Sequence, residues 1–310
     1  MSSGVAVVIV NYDGEQLLPE CLEALAAQTL APDEILVADN GSSDGSLALL
    51  HGQHPAVATL ALGRNFGFAG GANRGVAATA APWVCVLNSD ATPAPDWLQV
   101  LRSAPRSGRT WALGSVLVSA ATGRIESAGD QYAPEGYAYK LLRDRPLHEL
   151  PADPYPVFAA PGAAPVFRRD VFEQLGGYEE RFFLYYEDVD LAFRALLRGY
   201  HALLVPGARV THQLGATTRS RARARFYVAR NSAWCAARCL PRARPAVLAR
   251  RMALELRTNR PRHLVAVEIA GRVAALAGLP RTLRERRAIQ ATRTAPPEHV
   301  NALLQPPAFM

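Results

Sequence analysis

The chain has 310 residues, 49% of them hydrophobic, and carries 34 Lys and Arg against 27 Asp and Glu. That length suggests two ordinary domains or one large α/β domain with an appendage, and the composition excludes a disordered chain. No apolar run reaches the roughly 18 residues of a membrane-spanning helix, and the N-terminus lacks the basic region and cleavage site of a signal peptide. Four cysteines (Cys21, Cys85, Cys235, Cys239) show neither zinc-site spacing nor a disulfide framework, so a reducing, cytoplasmic setting is expected.

Strand and helix patterns alternate over the first 120 residues. Val5–Val10 (VAVVIV) reads as a fully buried parallel strand. Glu15–Gln28 sets Leu17, Leu18, Cys21, Leu22 and Leu25 at helical spacing. Then come a strand at Glu34–Ala38, a helix at Ser43–Leu50 capped by Ser42 or Ser43, and a strand at Val57–Leu62. A helix at Phe68–Ala80 and a strand at Trp83–Leu87 follow. This order predicts an α/β fold with a mostly parallel sheet and helices on both faces. Farther on, Leu113–Val118, Ala163–Phe167, His201–Val205 and Ala208–Thr211 read as strands, and Asp170–Leu175 and Glu187–Leu197 as helices. The last third reads as helices at Arg219–Cys239, Pro245–Arg257, His263–Leu276 and Arg281–Ala291.

The charge is unevenly divided. From Leu214 onward there are 19 Arg and 4 Glu, whereas the preceding residues hold 15 basic and 23 acidic groups. A basic tail on an acidic body suggests a surface for anionic partners: phospholipid, nucleic acid or phosphorylated substrates.

In parallel α/β sheets, ligands bind beyond the carboxyl ends of the strands. Here those ends lead into Asn11-Tyr12-Asp13-Gly14, Asp39–Gly45, Arg64–Asn73 and Asn88-Ser89-Asp90. Asp90 has the chemistry to hold Mg²⁺ or Mn²⁺, or simply serves a turn. Asp39 can accept the imide N–H of a uracil or thymine ring, or is again a turn residue. Gly67, Gly70, Gly71 and Asn73 open a helix as phosphate-approaching loops do, without the dinucleotide-binding spacing. The segment Phe182–Arg194 puts Glu187, Asp188 and Asp190 at a helix start, where the helix dipole stabilises carboxylates. At about 100° per residue, Asp188 and Asp190 face directions about 200° apart. Asp190 is set to pair with Arg194 at i,i+4, which leaves Asp188 as the free base of a cleft. His212 either completes a mixed nitrogen–oxygen metal site with Asp90 or is a structural histidine.

The segments VVIVNYDG (7–14), VADNGSSDGS (37–46), GRNFGFAGGANRG (63–75), LNSDATP (87–93), GAAPVFRRDVFEQLGGYEERFFLYYEDVDLAFR (162–194) and PGARVTHQLGATT (206–218) together resemble the family 2 glycosyltransferases of GT-A fold, in their bacterial rhamnosyltransferase-like branch. The resemblance implies a metal-dependent, inverting transfer of a sugar from a nucleoside diphosphate, dTDP-rhamnose ahead of a UDP-sugar. The acceptor it implies is a hydroxyl of a glycan, a lipid-linked sugar or a small molecule. It implies a GT-A catalytic domain over 1–215, with a nucleotide-binding half (1–120) and an acceptor half (121–215), followed by a basic helical region over 216–310. By matching motif positions it assigns Asn11, Tyr12, Asp13, Asp39, Arg64, Asn65, Asn73 and Ser89 to the nucleotide and Asp90 and His212 to the divalent metal. Asp188 becomes the general base, and Gly162, Glu187, Arg230 and Asn231 fall on the acceptor side. Asn88 stands where the family's D-x-D motif has its first Asp, which makes His212 more important as a second ligand.

Two other readings compete. A nucleotidyltransferase would carry a basic residue in a Gly-rich loop after the first strand, where Asn11–Gly14 stands. A nucleic-acid-binding protein would use Arg219, Arg221, Arg223 and Arg225, but no nucleic-acid motif accompanies them, so no such partner is expected. The helices bearing Arg238, Arg242, Arg244, Arg250 and Arg251 are expected either to lie on anionic lipid at the inner face of the membrane or to be solvated faces of a helical subdomain.

Overall fold

A computed structural model describes residues 4–133, 136–213, 215, 220–240, 262–296, 298 and 300. The expected helix Pro245–Arg257, together with Arg219, Arg242, Arg244, Arg250 and Arg251, lies outside them.

The opening apolar run is strand β1 (Val5–Asn11), buried along its whole length. Its alternate side chains feed two cores: Ala6, Val8 and Val10 face one, and Val5, Val7 and Ile9 the other. A strand covered on both faces needs such a continuous apolar sequence. Helix α1 (Leu18–Ala26) covers one face through Leu18, Cys21, Leu22 and Leu25. After it come β2 (Glu34–Asp39), α2 (Ser46–Gln53), β3 (Ala58–Ala61), α3 (Gly67–Ala77) and β4 (Trp83–Asn88). Strands β3, β2, β1 and β4 lie side by side in that order, all parallel. Helix α2 starts later than expected, and neither Ser42 nor Ser43 caps it. Gly45 is its N-cap residue, and Asp44 Oδ1 accepts from Ser46 N (3.1 Å) and Oγ (2.5 Å) instead.

The second half adds β5 (Ala91–Pro93), α4 (Trp97–Ser103), β6 (Thr110–Ser119), β7 (Ile125–Ser127), β8 (Asp130–Ala133), β9 (Tyr137–Lys140), β10 (Tyr155–Val157), β11 (Val166–Arg168), α5 (Arg169–Gln174), α6 (Glu187–Leu197) and β12 (His201–His212). The sheet continues as β4-β11-β6-β12-β10. Here it becomes mixed: β11 runs antiparallel to both neighbours, while β6 and β12 are parallel. The two strands expected around Pro206-Gly207 are one strand, β12, with a register shift between Val205 and Arg209. Proline cannot donate to a ladder, so the break falls at Pro206 while the strand continues beyond it. Strands β8 and β9 form a separate two-stranded sheet, and Asp130 of β8 makes an isolated bridge to Ala159, just beyond β10.

Three helices end the described chain: α7 (Arg221–Cys239), α8 (Arg262–Ala277) and α9 (Leu279–Ala291). Trp234, Cys235 and Cys239 of α7 join the same core as Leu191, Ala192 and Phe193 of α6. No helix among the described residues is long and apolar enough to cross a membrane.

Candidate active site

The parallel register sets Asn11 beside Asp39 and Val10 beside Asn88, so three strands end together at one sheet edge. Above this edge lies a cavity of about 530 Å³, lined among others by Tyr12, Asn65, Ser89, Asp90, Gly162, Glu187, Asp188 and His212. One opening thus joins residues from the first loop of the chain to the end of β12.

The residues expected to bind nucleotide divide into two groups. Tyr12, 39% exposed, lines the cavity together with Asn65 and the buried Ser89. Asn65 also shapes the loop, since its Oδ1 accepts from Gly67 N at 2.7 Å. The other group is spent on holding loops. Asp39 is 1% exposed: Oδ1 accepts from Ser42 N (3.0 Å), and Oδ2 from Asn11 Nδ2 (3.0 Å) and Ser42 Oγ (2.5 Å). Asp13, at φ 51°, accepts from Ser43 N and Oγ through Oδ1. Arg64 is exposed and lies over the Phe66 ring, 4.4 Å from its centroid, with Arg74 at 3.8 Å. Asn73 is placed elsewhere. Its amide donates to Tyr178 O and accepts from Tyr178 N, both at 2.9 Å, so it clamps the loop before α6. Asn40, not singled out in the sequence, ties the second loop to the third through Gly67 O and Phe66 N.

Long-range pairing builds the metal-ligand candidates. Strand β12 runs antiparallel to β5, with His212 opposite Ala91, and Gln213 N donates to Asp90 O at 2.9 Å. His212 Nε2 therefore stands 3.2 Å from Asp90 Oδ1. Two neighbouring ligands of an octahedral ion, each about 2.1 Å from it, stand about 3 Å apart, so the pair fits a divalent cation. On its other side His212 Nδ1 is 2.7 Å from Glu126 Oε2, and Glu126 Oε1 meets Lys140 Nζ. Burial opposes charging His212, but Asp90 and Glu126 outweigh it and raise the imidazole to about 9. Burial likewise disfavours the Glu126 anion, yet His212 and Lys140 hold that carboxyl at about 2. The imidazole is therefore charged on its own; a divalent cation would take the place of the Nε2 proton, and Glu126 on Nδ1 would hold the ring in the tautomer that ligates through Nε2. Glu126 was not legible in the sequence: β7 is three residues long and matches no motif.

The base candidate reaches the same cavity from the start of α6. Chain residues Phe183, Tyr185 and Tyr186 lead into α6 at φ 66°, 69° and 71°. Phe183, with ψ −55°, centres a γ-turn closed by Leu184 N donating to Phe182 O at 2.7 Å. Each such residue costs about 1–3 kcal/mol and persists only where the surroundings enforce it. Gly67, at φ 74°, accommodates this loop, because a Cβ there would come within 2.3 Å of Phe183 O. Asp188 Oδ1 accepts from Val189 N at 2.8 Å, and Oδ2 would lie 2.7 Å from a Cβ placed on Gly162. Gly162 thus makes room for this carboxylate. Burial pushes Asp188 above the usual carboxylate range, against the Val189 N–H bond and the charge of Lys140. Burial, and then the charge of Asp188, push Glu187 well above it as well. Asp190 is fully buried and pairs with Arg194 at 2.7 Å, as the i,i+4 spacing predicts. A further cavity carboxyl, Asp130, is raised to about 6, chiefly by burial.

Arg230 and Asn231 do not line the cavity; they hydrogen-bond to the backbone of the loop before α6. Asp190, Cys235 and Cys239 bring ligand atoms within 4.8 Å of one another. The guanidinium groups of Arg194 and Arg238 already neutralise that carboxylate, so the cluster is packing.

A mixed, mostly parallel sheet flanked by helices, with its cavity at the strand ends, is the GT-A glycosyltransferase fold. Among the solved structures that share it are two glycosyltransferases. GalNAc-T7, determined with UDP, GalNAc and Mn²⁺, superposes with a TM-score of 0.64 at 16% identity over 92% of this chain and 54% of that one. The mannosyltransferase PcManGT of Pyrobaculum calidifontis, in complex with GDP-Man and Mn²⁺, gives 0.54 at 18% identity over 97% and 78%. The sequence profile of glycosyl transferase family 2 matches residues 6–176. The chain is also 31% identical over 247 residues to the N-acetylglucosaminyl-diphospho-decaprenol L-rhamnosyltransferase of Mycobacterium tuberculosis, spanning 70% of this chain and 78% of that protein. The chain belongs to glycosyl transferase family 2 and is a glycosyltransferase.

Proposed function

We propose that the protein transfers rhamnose from dTDP-rhamnose, with inversion, to a hydroxyl of a lipid-linked sugar acceptor. The observation that carries this reading is that the Asp90–His212 pair and Asp188 line one and the same cavity. Asp90 and His212 would hold a divalent cation, which supplies positive charge for the departing nucleoside diphosphate. Tyr12, Asn65 and Ser89 line the nucleotide side. Asp188 takes the proton of the acceptor hydroxyl, which attacks the anomeric carbon opposite the leaving group in a single displacement. The raised affinity of Asp188 for a proton suits that role. Asp39 and Asn11 serve the nucleotide indirectly, by fixing the loop that carries Tyr12. The relative from Mycobacterium tuberculosis, named for rhamnosyl transfer to a decaprenol-linked sugar, supports this donor and this acceptor class over a free glycan or a small molecule.

The test is turnover of a panel of nucleotide sugars on a polyprenyl-diphosphate N-acetylglucosamine acceptor, with the product anomer assigned by NMR. Turnover of dTDP-rhamnose with inversion is expected. Turnover of UDP-sugars alone would overturn the donor, and retention would overturn the single displacement.

For such an acceptor we further propose peripheral membrane contact, through a face different from the one the arginine pattern suggests. Arg238 is 6% exposed and paired with Asp190 and Glu179, so it cannot reach lipid. Ile269, Val273 and Leu276, at i, i+4 and i+7 of α8, are instead 48%, 60% and 68% exposed. Leu283 of α9 and the exposed Arg281, Arg284 and Arg287 lie next in the chain. Apolar residues beside arginines suit an anionic bilayer surface. The protein should float with anionic vesicles, and V273D/L276D should weaken flotation severalfold. Absence of flotation with any vesicle would overturn this contact.

A further inference from the structure

The loop that delivers Asp188 is gripped from behind by one face of α7. Asn231 has no exposed surface, and the two N–H groups of its Nδ2 serve three carbonyl oxygens, those of Phe182 (2.9 Å), Leu184 (2.9 Å) and Tyr185 (2.7 Å), so that one N–H is shared. Its Oδ1 accepts from Arg230 Nε at 2.9 Å, which orients the amide so that its nitrogen faces the loop. Arg230 Nη2 donates to Arg181 O and Phe182 O, both at 3.0 Å. One turn along, the Trp234 ring stacks on Phe182 with centroids 6.2 Å apart. One further turn along, Arg238 pairs with Glu179 at 2.8 Å and with Asp190 at 3.0 Å. Residues 230, 234 and 238 are spaced by helical turns, so a single face of α7 reaches both ends of the 179–190 segment.

This grip falls on the stretch whose backbone is least able to hold itself. Phe183, Tyr185 and Tyr186 all have positive φ, and bulky residues stay there only when neighbours enforce it. The three carbonyls bound by Asn231 flank those residues. Asp188 follows directly, and its carboxylate packs at Gly162, where an added Cβ would come within 2.7 Å of it. A shift of the loop must move that carboxylate.

We propose that Asn231, oriented by Arg230, is a positioning residue for the catalytic base. By binding three carbonyls of the strained loop, it sets where α6 starts and hence where Asp188 meets the acceptor hydroxyl. The inference rests on the reading of Asp188 as the base. It moves the Arg-Asn pair from acceptor contact to the architecture of the catalytic wall, and makes α7 part of the catalytic unit.

The experiment compares N231L, D188N and the N231L/D188N double variant of the full chain. It measures kcat, acceptor KM and, by calorimetry, the affinity for dTDP with Mn²⁺. A misplacement of about 1 Å at a reacting group costs on the order of 10²-fold in rate. N231L should therefore lose about that factor in kcat, with acceptor KM and dTDP affinity changed less than about threefold, and the double variant should be no slower than D188N. Parallel loss of kcat and dTDP affinity would overturn the inference, because it marks a general scaffold defect. D188N losing turnover while N231L keeps it would also overturn it and leave the base reading intact. D188N keeping wild-type turnover would overturn the base reading and this inference with it. If N231L does not fold, R230M, at a half-buried position, is judged by the same criteria.

Discussion

Replacing Asp188 by Asn lowers transfer by about 10²–10⁴-fold, the range a positioned general base contributes. Binding of nucleoside diphosphate is expected to stay within about threefold, because Asp188 is not among the residues proposed for the nucleotide, Tyr12, Asn65 and Ser89. Asn keeps the size of Asp and its contact with Val189 N, so the start of α6 is preserved while the proton acceptor is lost. The pH profile gives an independent check. A base works ionised, so the rate falls as pH drops through its pKa. Burial places that midpoint above the ordinary Asp value of about 3.9. The variant should lack this acid limb. Equal losses of transfer and nucleotide affinity, or an unchanged acid limb, would show a structural carboxylate instead.

His212→Ala should raise the Mn²⁺ concentration needed for half-maximal dTDP binding by at least about 10-fold. Even outer-shell partners of metal ligands are worth about 10–100-fold in affinity. Calorimetric titration of Mn²⁺ at fixed dTDP reads this without turnover. Glu126→Gln should shift the curve in the same direction by a smaller factor, since it removes the charge behind Nδ1 but leaves the imidazole in place. Identical titrations in wild type and H212A would remove His212 from the ligand set. The expected shift follows from the proposal, in which the Asp90 oxygen and the His212 nitrogen, 3.2 Å apart and buried, share one cation.

The nucleotide half was largely legible from the chain alone. β1 to β4 follow the apolar runs, and their carboxyl ends carry the polar loops that line the cavity. The pairing of Asp190 with Arg194 follows from helical spacing. For other residues the structure adds partners that residue type does not reveal. Asp39 stands at the expected strand end, but its neighbours Asn11 and Ser42 occupy its oxygens. Asn73 lies in the expected helix, but Tyr178, 105 residues away, takes its amide. Arg238 belongs to a run that composition marks as solvent- or lipid-facing, yet buried carboxylates from two other segments enclose it.

The sequence by itself determined the alternating α/β plan, the edge at which the cavity opens and the family, and it nominated the carboxylates proposed for metal and base. Those features depend on local periodicity and on motifs a few residues long. Only the tertiary structure decided that Glu126 stands behind His212, 86 residues apart, that Lys140 and Asp130 face the same cavity, and that Asn231 holds the loop before Asp188. Each of these comes from short or motif-free segments brought together by strand pairing and helix packing. A local pattern records which face of an element is apolar. It does not record which distant carbonyl or carboxylate that element will meet.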